Sequence, residues 1–170
     1  MKLAAVAAHH VLLAHGRAVQ ALRAHSVRPV KIGAAPHMNA KMPLTETPAD
    51  IEAARRVYAE VDTNSFWGLS LWADPIYLGK YPETATHILK NDLVSVTAED
   101  LQLISQPLDF MGCNIYTGGY VKAGPGGEPQ NIPWPEGGAS GSLNWLQLMP
   151  DALYWSARFQ VERYGRLPLS

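Results

Sequence analysis

The sequence predicts an α/β fold with parallel strands that forms part of a (β/α)8 barrel, the TIM barrel. Helical patterns alternate with short apolar strands, which is typical of parallel βαβ units. Two strands run into polar side chains, and strand ends of this kind carry the sites of such barrels. The 170 residues contain two complete strands and the start of a third. A closed barrel needs about 200 residues or more, so we expect only a part of one.

The composition excludes several classes of protein. A hydrophobic fraction of 47% with 17% charged residues is typical of a folded domain. The net charge of -1 gives no electrostatic reason to expect nucleic acid or a membrane as partner. The single cysteine, Cys113, can form neither an internal disulfide nor a cysteine metal cluster. We expect a cytoplasmic protein with no metal or other cofactor, and we interpret the apolar start as helix rather than signal peptide.

The first half of the chain predicts two helices around one short strand. Alanine and leucine at helical spacing predict a helix over residues 3–24. Residues 30–35 predict a strand, and a loop at 36–39 follows it with polar side chains. Thr47 predicts the cap of a second helix that ends near residues 66–67. The aromatic-rich stretch after it allows a sugar platform, but the pattern favours a packed connection between helices.

The second half predicts two short helices, a strand, a loop and a last helix. The short helices span residues 83–90 and 98–105. Residues 108–117 predict a strand that ends in Asn114, Tyr116 and Thr117, although the local pattern also fits an ordinary core strand. Residues 118–141 hold eight glycines and four prolines and predict a long loop near the site. The last helix begins around Asp151 and stops at Gly165, and residues 167–170 begin another extended segment.

Motifs for the common kinds of catalysis are absent from the sequence. It contains no phosphate-binding glycine motif and no G-x-S-x-G nucleophile motif. The acidic residues are scattered, and Asp109 stands at the start of a strand, where a structural role is favoured. His10 and His15 are five residues apart on the first helix, which makes a poor metal-binding face. The residues alone therefore predict a binding site without its own acid and base.

Six stretches of the chain carry the most specific signal in the sequence. The stretches are A-H-H-V-L-L-A-H-G-R-A-V at 8–19, K-I-G at 31–33, A-D-P-I-Y-L-G-K-Y-P at 73–82, D-F-M-G-C-N-I-Y-T at 109–117, N-W-L-Q-L-M-P-D-A-L-Y at 144–154 and R-Y-G-R-L-P-L-S at 163–170. Together these stretches resemble family 1 glycoside hydrolases, the β-glucosidase family. They follow the family's order and spacing over essentially the whole chain, which is more specific than any one motif. The resemblance implies a barrel segment from the helix after the fourth strand to the start of the seventh.

The resemblance also implies hydrolysis of β-glycosides with retention. Such enzymes use two carboxylates, one as nucleophile and one as acid/base. The family carries them in Asn-Glu-Pro and Thr-Glu-Asn-Gly motifs, and neither motif occurs in this chain. We therefore expect no catalytic residue here and no activity from the isolated chain. The alternative is a non-catalytic part-barrel that binds sugar, self-associates or recruits a complementing barrel segment.

Four side chains match positions of the family's sugar site, which implies a β-glycoside or glucose-type ligand. Tyr116 matches the tyrosine that hydrogen-bonds the nucleophile, and a phenol donor lowers the pKa of a carboxylate. Asn114 matches the asparagine on the same strand. Trp145 matches a tryptophan at the site entrance, where an indole can stack on the leaving-group sugar. His37 stands where the family usually has an asparagine, which is a departure from the pattern.

Overall fold

The computed structural model of the chain describes residues 2–61, 68–85, 96–134, 138–143, 145–165 and 168. The contacts divide the chain into two compact units. In chain order the elements are α1 (Lys2–His25), β1 (Gly33–Ala34), β2 (His37–Pro43), α2 (Pro48–Ala59), α3 (Leu69–Leu78), a 3₁₀ turn (Glu83–Ala85), α4 (Ala98–Ile104), β3 (Phe110–Met111), β4 (Asn114–Ala123), β5 (Pro129–Ile132) and α5 (Asp151–Tyr164).

The first unit comprises Met1–Pro36, Val61–Gly112 and Leu167–Ser170. Its strands β1 and β3 are parallel neighbours, as predicted from the alternation of helices and strands. Leu12, Ile76 and Ile104 form a buried cluster, and each comes from a different helix of this unit. Their burial removes apolar surface from water and stabilises the unit.

Long-range contacts satisfy two polar side chains of the first unit, Asp109 and His9. One carboxylate oxygen of Asp109 accepts from the amide of Ile32 at 2.8 Å and from Arg23 at 3.0 Å. The amide of Ile32, and then Arg23, lower the pKa of this carboxyl group. Asp109 therefore holds the residue that precedes β1 in place, which agrees with the structural role favoured for it from the sequence. His9 is buried, and its Nδ1 lies 2.9 Å from the Tyr81 hydroxyl, so it is a satisfied histidine.

Gly16 lets α1 and α4 approach each other very closely. A Cβ atom built on Gly16 would lie only 2.0 Å from the backbone carbonyl oxygen of Leu103. Backbone atoms cannot give way as the end of a flexible side chain can. The packing of these two helices therefore depends on a residue without a side chain at this position.

We expect Gly16→Ala to lower the free energy of unfolding by about 1–3 kcal/mol, because the added methyl group overpacks the contact. Helix propensity alone favours alanine over glycine by about 1 kcal/mol. Propensity and packing therefore predict changes of opposite sign in the free energy of unfolding. Chemical denaturation followed by circular dichroism measures the change. Arg17→Ala on the exposed face is the control and should stay within about 0.5 kcal/mol. A more stable G16A variant would contradict the close contact.

The second unit comprises His37–Glu60 and Cys113–Arg166. Its sheet has the order β2-β4-β5, in which β2 and β4 are parallel and β4 and β5 are antiparallel. The helices α2 and α5 pack on this sheet. Met42, Val121 and Phe159 are fully buried within the unit and form part of its core. The pairing of β2 with β4 places the starts of these two strands, which are distant in the sequence, side by side.

Asp50 joins the start of α2 to the end of β4. Its carboxylate accepts from the amide of Ala123 at 2.8 Å and from the Thr45 hydroxyl at 2.7 Å. The Ala123 amide, followed by the Thr45 hydroxyl, lowers the pKa of this carboxyl group. A lowered folded-state pKa gives stability that is present above the unfolded pKa, about 3.9, and is lost as the pH falls through the folded value.

We expect Asp50→Asn to lower the denaturation midpoint at pH 7, because the amide cannot replace a carboxylate that accepts from both segments. The gap between wild type and variant should shrink as the pH is lowered from about 5 to about 2, since the wild-type carboxyl group is then protonated. Thermal unfolding across this range measures both. Exposed Glu46→Gln removes the same charge and should change the midpoint little. A gap between D50N and wild type that is constant with pH would contradict this role of Asp50.

The helices were predicted more accurately than the strands. The predictions for α1, for the Thr47 cap of α2, for α4 with its Thr97 capping box and for α5 are confirmed. The second helix, however, ends at Ala59 rather than near residues 66–67, because Glu60 leaves the helix in an extended conformation. The predicted packed connection contains α3. Residues 86–90 of one predicted helix and most of the last extended segment lie outside the described residues.

Four predictions for strands and loops are wrong. The strand predicted at 30–35 is limited to Gly33–Ala34, and the loop predicted at 36–39 is mostly the start of β2. The strand predicted at 108–117 is two strands, since residues 112 and 113 separate β3 from β4. The predicted loop at 118–141 begins with the second half of β4 and also contains β5. Gly118 and Gly119 pair with residues of β2. Tertiary pairing therefore overrides the preference of glycine for turns.

Two expectations remain open after the fold is described. Among the helices of the described ranges, none has the length and apolar composition needed to cross a lipid bilayer. The cytoplasmic location stays a prediction. The expectation that residues 1–170 form one partial-barrel segment also stays a prediction.

Candidate functional site

The four predicted site residues all lie in the second unit, and the parallel pair β2–β4 brings two of them side by side. His37 and Asn114 are direct neighbours in the register of the two strands. Both residues begin their strands. They follow the carboxyl ends of β1 and β3 by only a few residues along the chain. The prediction that Asn114 and Tyr116 end a strand is therefore wrong, because a second strand continues through them.

Three aromatic side chains, two on this pair of strands and one on the segment before α5, form one row. The rings of His37 and Tyr116 stack with centroids 5.7 Å apart and an angle of 21° between their planes. The Trp145 ring meets Tyr116 edge-on, with centroids 6.4 Å apart and planes at 75°. Both arrangements are favourable for aromatic pairs. We call His37, Tyr116 and Trp145 the aromatic row.

A β-bulge directs the central side chain of the aromatic row. Met38 pairs with Ile115 and Asn39 pairs with Thr117, so Tyr116 is the extra residue on β4. Bulges change the direction of a side chain and are frequent next to functional sites. The Tyr116 side chain is 54% exposed, and Trp145 is 53% exposed. The row therefore offers accessible ring faces and one accessible phenol in this unit.

The segment that carries Trp145 is fastened to β4 by Thr117 and Gln147. The Thr117 hydroxyl donates to the Gln147 side-chain oxygen at 3.2 Å, and the backbone amide of Gln147 donates to the Thr117 hydroxyl oxygen at 3.4 Å. Gln147 also pairs with Ser140 in an isolated antiparallel bridge. Sequence reasoning missed Gln147. Its only signal was a polar residue two positions after Trp145, which is too common to indicate a contact with β4.

Lys41 on β2 and Cys113, the residue just before β4, are two further titratable groups of the second unit. The Cys113 thiol donates to the side-chain oxygen of Gln160 at 2.7 Å, and burial raises the pKa of this half-buried thiol. Cys113 therefore stays a neutral thiol and offers no nucleophile. Burial lowers the pKa of the Lys41 ammonium group.

The chemistry of the aromatic row is that of binding. Ring faces can stack on a ligand, and the Asn114 amide and Tyr116 phenol can exchange hydrogen bonds with it. None of the four predicted residues is an acid, so the pair of carboxylates that glycoside hydrolysis requires is not among them. In the part of the chain that the structure describes, no cluster of three or more histidine, cysteine or acidic residues could hold a metal ion.

The fold defines the class of this chain as part of an α/β barrel with parallel strands. The sequence model of Glycosyl hydrolase family 1 matches residues 1–169. The chain belongs to glycosyl hydrolase family 1. The resemblance found in the sequence is thereby confirmed.

Relatives in this family are similar to the chain over nearly all of its length. A β-glucosidase of Agrobacterium sp. is 34% identical over 168 residues, which cover 96% of this chain and 35% of the relative. β-Glucosidase A of Thermotoga maritima is 30% identical over 159 residues, which cover 94% of this chain and 34% of the relative. The chain thus spans about a third of the length of these relatives and corresponds to part of a family 1 β-glucosidase.

Solved structures support the same assignment. The rice β-glucosidase matches with a TM-score of 0.72 and 26% identity, covering 95% of this chain and 36% of the rice enzyme. A β-glucosidase of Thermotoga maritima in complex with deoxynojirimycin matches with a TM-score of 0.70 and 28% identity, covering 96% of this chain and 35% of that enzyme. The predicted fold class, a partial α/β barrel with parallel strands, is confirmed, and the described strands do not close a barrel.

Proposed function

We propose that this chain is the segment of a retaining β-glucosidase-like enzyme that lines the sugar site and supports the nucleophile. In the complete enzyme it takes part in the hydrolysis of O-glycosyl bonds. As an isolated chain it is inactive. The observation that carries the proposal is the exposed phenol of Tyr116, held at a bulge between the rings of His37 and Trp145.

Each residue of the site has a chemical task in this proposal. The Tyr116 phenol donates a hydrogen bond to the nucleophilic carboxylate, which lowers the pKa of that carboxylate and keeps it anionic. The Asn114 amide hydrogen-bonds the sugar, and the exposed face of Trp145 stacks on the leaving group. His37 replaces an amide with an aromatic ring, and its stacking on Tyr116 fixes the orientation of the phenol. His37 is thus a positioning residue.

The ligand in this proposal is a β-glycoside with a glucose-type sugar. The Thermotoga maritima relative has been solved with deoxynojirimycin, with castanospermine and with an isofagomine lactam. The site of this chain offers the matching chemistry, namely ring faces, an amide and a phenol. Such groups suit a neutral polyhydroxylated ring, since the amide and phenol both donate and accept hydrogen bonds.

Two protein forms test the proposed function. The isolated chain should release no p-nitrophenol from p-nitrophenyl β-glucoside above the buffer rate. A chimera in which this chain replaces the matching third of the Agrobacterium sp. β-glucosidase should turn the substrate over, because the rest of that enzyme supplies both carboxylates. Turnover by the isolated chain would overturn the proposed division of roles. A folded but inactive chimera would overturn the proposed support of the nucleophile.

A second function, self-association or the recruitment of a complementing barrel segment, is favoured by exposed apolar side chains. Leu148, Leu153 and Tyr154 of the second unit are each at least 60% exposed, and the last two lie on α5. Large apolar side chains that are exposed to this degree favour a contact surface when they lie together. Light scattering of the isolated chain should give a mass above 18.6 kDa that falls to one chain in a Leu153→Ser/Tyr154→Ser variant. A monomeric wild type would exclude self-association.

A further inference from the structure

The ammonium group of Lys41 lies over a glycine of the neighbouring strand. Lys41 on β2 pairs with Gly119 on β4. A Cβ atom built on Gly119 would lie 3.7 Å from the Lys41 Nζ atom. The lysine side chain therefore crosses from its own strand and occupies the space above a residue that has no side chain. A bulkier residue at position 119 would compete for this space.

This cation has no partner within the described part of the chain. The Lys41 side chain takes part in no hydrogen bond or ion pair there. It is half-buried, and burial lowers the pKa of its ammonium group. A partly desolvated charge without a partner is unfavourable for the free protein. Binding of an anion would relieve that cost.

The face that carries Lys41 also carries the aromatic row. Alternate residues of a strand point to the same side, so His37, Asn39 and Lys41 share one face of β2. At about 3.3 Å per residue, His37 and Lys41 are about 13 Å apart along the strand. Thr117 is the register partner of Asn39, and its hydroxyl is bonded to Gln147. None of these side chains is acidic, so no carboxylate among them neutralises the Lys41 ammonium group.

We propose that Lys41 binds a carboxylate on the aglycone of a β-glycoside whose sugar lies on the aromatic row. The inference rests on the proposed function and deepens it by naming the class of leaving group. The ammonium group donates charge-assisted hydrogen bonds to the carboxylate, and partial burial strengthens them. A neutral aglycone leaves the ammonium group unpaired and gains nothing from it.

The test compares three probes on the 170-residue chain by NMR titration. The probes are p-carboxyphenyl β-glucoside, p-nitrophenyl β-glucoside and the free 4-hydroxybenzoate anion. The carboxylated glucoside should bind several-fold more tightly than the nitro glucoside. Lys41→Met should remove this advantage. Lys122→Met on β4 is the control, because it removes another lysine side chain, the one beside Asp50. It should preserve the tighter binding of the carboxylated glucoside.

The outcomes separate this inference from the proposed function. Equal binding of the two glucosides, or an advantage that survives Lys41→Met, overturns the inference while the sugar site stands. Binding of 4-hydroxybenzoate that requires Lys41, without binding of either glucoside, supports the anion site and overturns the sugar site. If none of the three probes binds, both the anion site and the sugar site are overturned.

Discussion

Replacing Phe159 by alanine should lower the free energy of unfolding of the second unit by about 3–5 kcal/mol. Phe159 is 1% exposed, and the rings of Tyr58 and Trp155 both lie with centroids 5.5 Å from its own. The Arg55 guanidinium carbon is 5.5 Å above the same ring. Truncation removes a large buried apolar surface and leaves a cavity among these groups. A domain is typically stable by about 5–15 kcal/mol, so this loss is a large part of the total.

The site should be lost together with this core, because α5 packs on β2, the strand that begins with His37. Urea denaturation gives the change in stability, and near-ultraviolet circular dichroism reports the order of the aromatic row. The matched control is Tyr154→Ala, an aromatic truncation on the same helix at a position 60% exposed. It should cost about 1 kcal/mol or less. If F159A loses no more than this control, Phe159 does not hold the core of the unit together.

Helix starts were predictable because their signals are local. Thr47 accepts from the amide of Asp50 at 3.3 Å, and Thr97 forms a reciprocal capping box with Asp100. In both cases the residues that make the contact are three apart in the sequence. A reader of the sequence therefore has both partners within one short window. The signal for the end of α5 is local too, because it is a single residue, Gly165, which has a positive φ of 87°.

Strand pairing was not predictable from such windows. Residues 118 and 119 are both glycine, and their local signal is that of a turn. In the fold they continue β4, since a Cβ atom on Gly118 would lie 2.3 Å from the carbonyl oxygen of Ala40. The glycine is therefore needed for close approach to β2, and the partner is 78 residues away in the sequence. Only the tertiary structure decides between these two uses of glycine.

The sequence named candidate residues for the site, and their geometry was not predictable from it. The family resemblance selected His37, Asn114, Tyr116 and Trp145. The structure groups three of them into the aromatic row and places Asn114 beside His37. The bulge at Tyr116 has no sequence signal, because it arises from a shift in the register of two strands. The unpaired ammonium of Lys41 likewise depends on a glycine of another strand. Both features follow from pairing, which local periodicity does not encode.

Replacing Tyr116 by phenylalanine should lower kcat of the active chimera by about 10- to 100-fold. The change removes the phenol while the stacking partners of the ring, His37 and Trp145, keep their contacts. A hydrogen bond to a charged group contributes about 1.5–3 kcal/mol, and each 1.36 kcal/mol corresponds to a factor of ten in rate. The proposed acceptor is the nucleophilic carboxylate. Steady-state kinetics with p-nitrophenyl β-glucoside measures the loss.

The pH profile distinguishes this role from a loss of structure. A carboxylate that no longer accepts from the phenol has a higher pKa, so it becomes protonated at a higher pH. The acid limb of kcat/KM, which reports the nucleophile in the free enzyme, should therefore move to higher pH in Y116F. Tyr120→Phe is the matched control, because Tyr120 lies on the same strand but stacks on Trp134. It should leave both kcat and the acid limb in place. A slower Y116F enzyme with an unmoved acid limb would mean that Tyr116 acts through packing alone, and the proposed phenol–carboxylate contact would have to be given up.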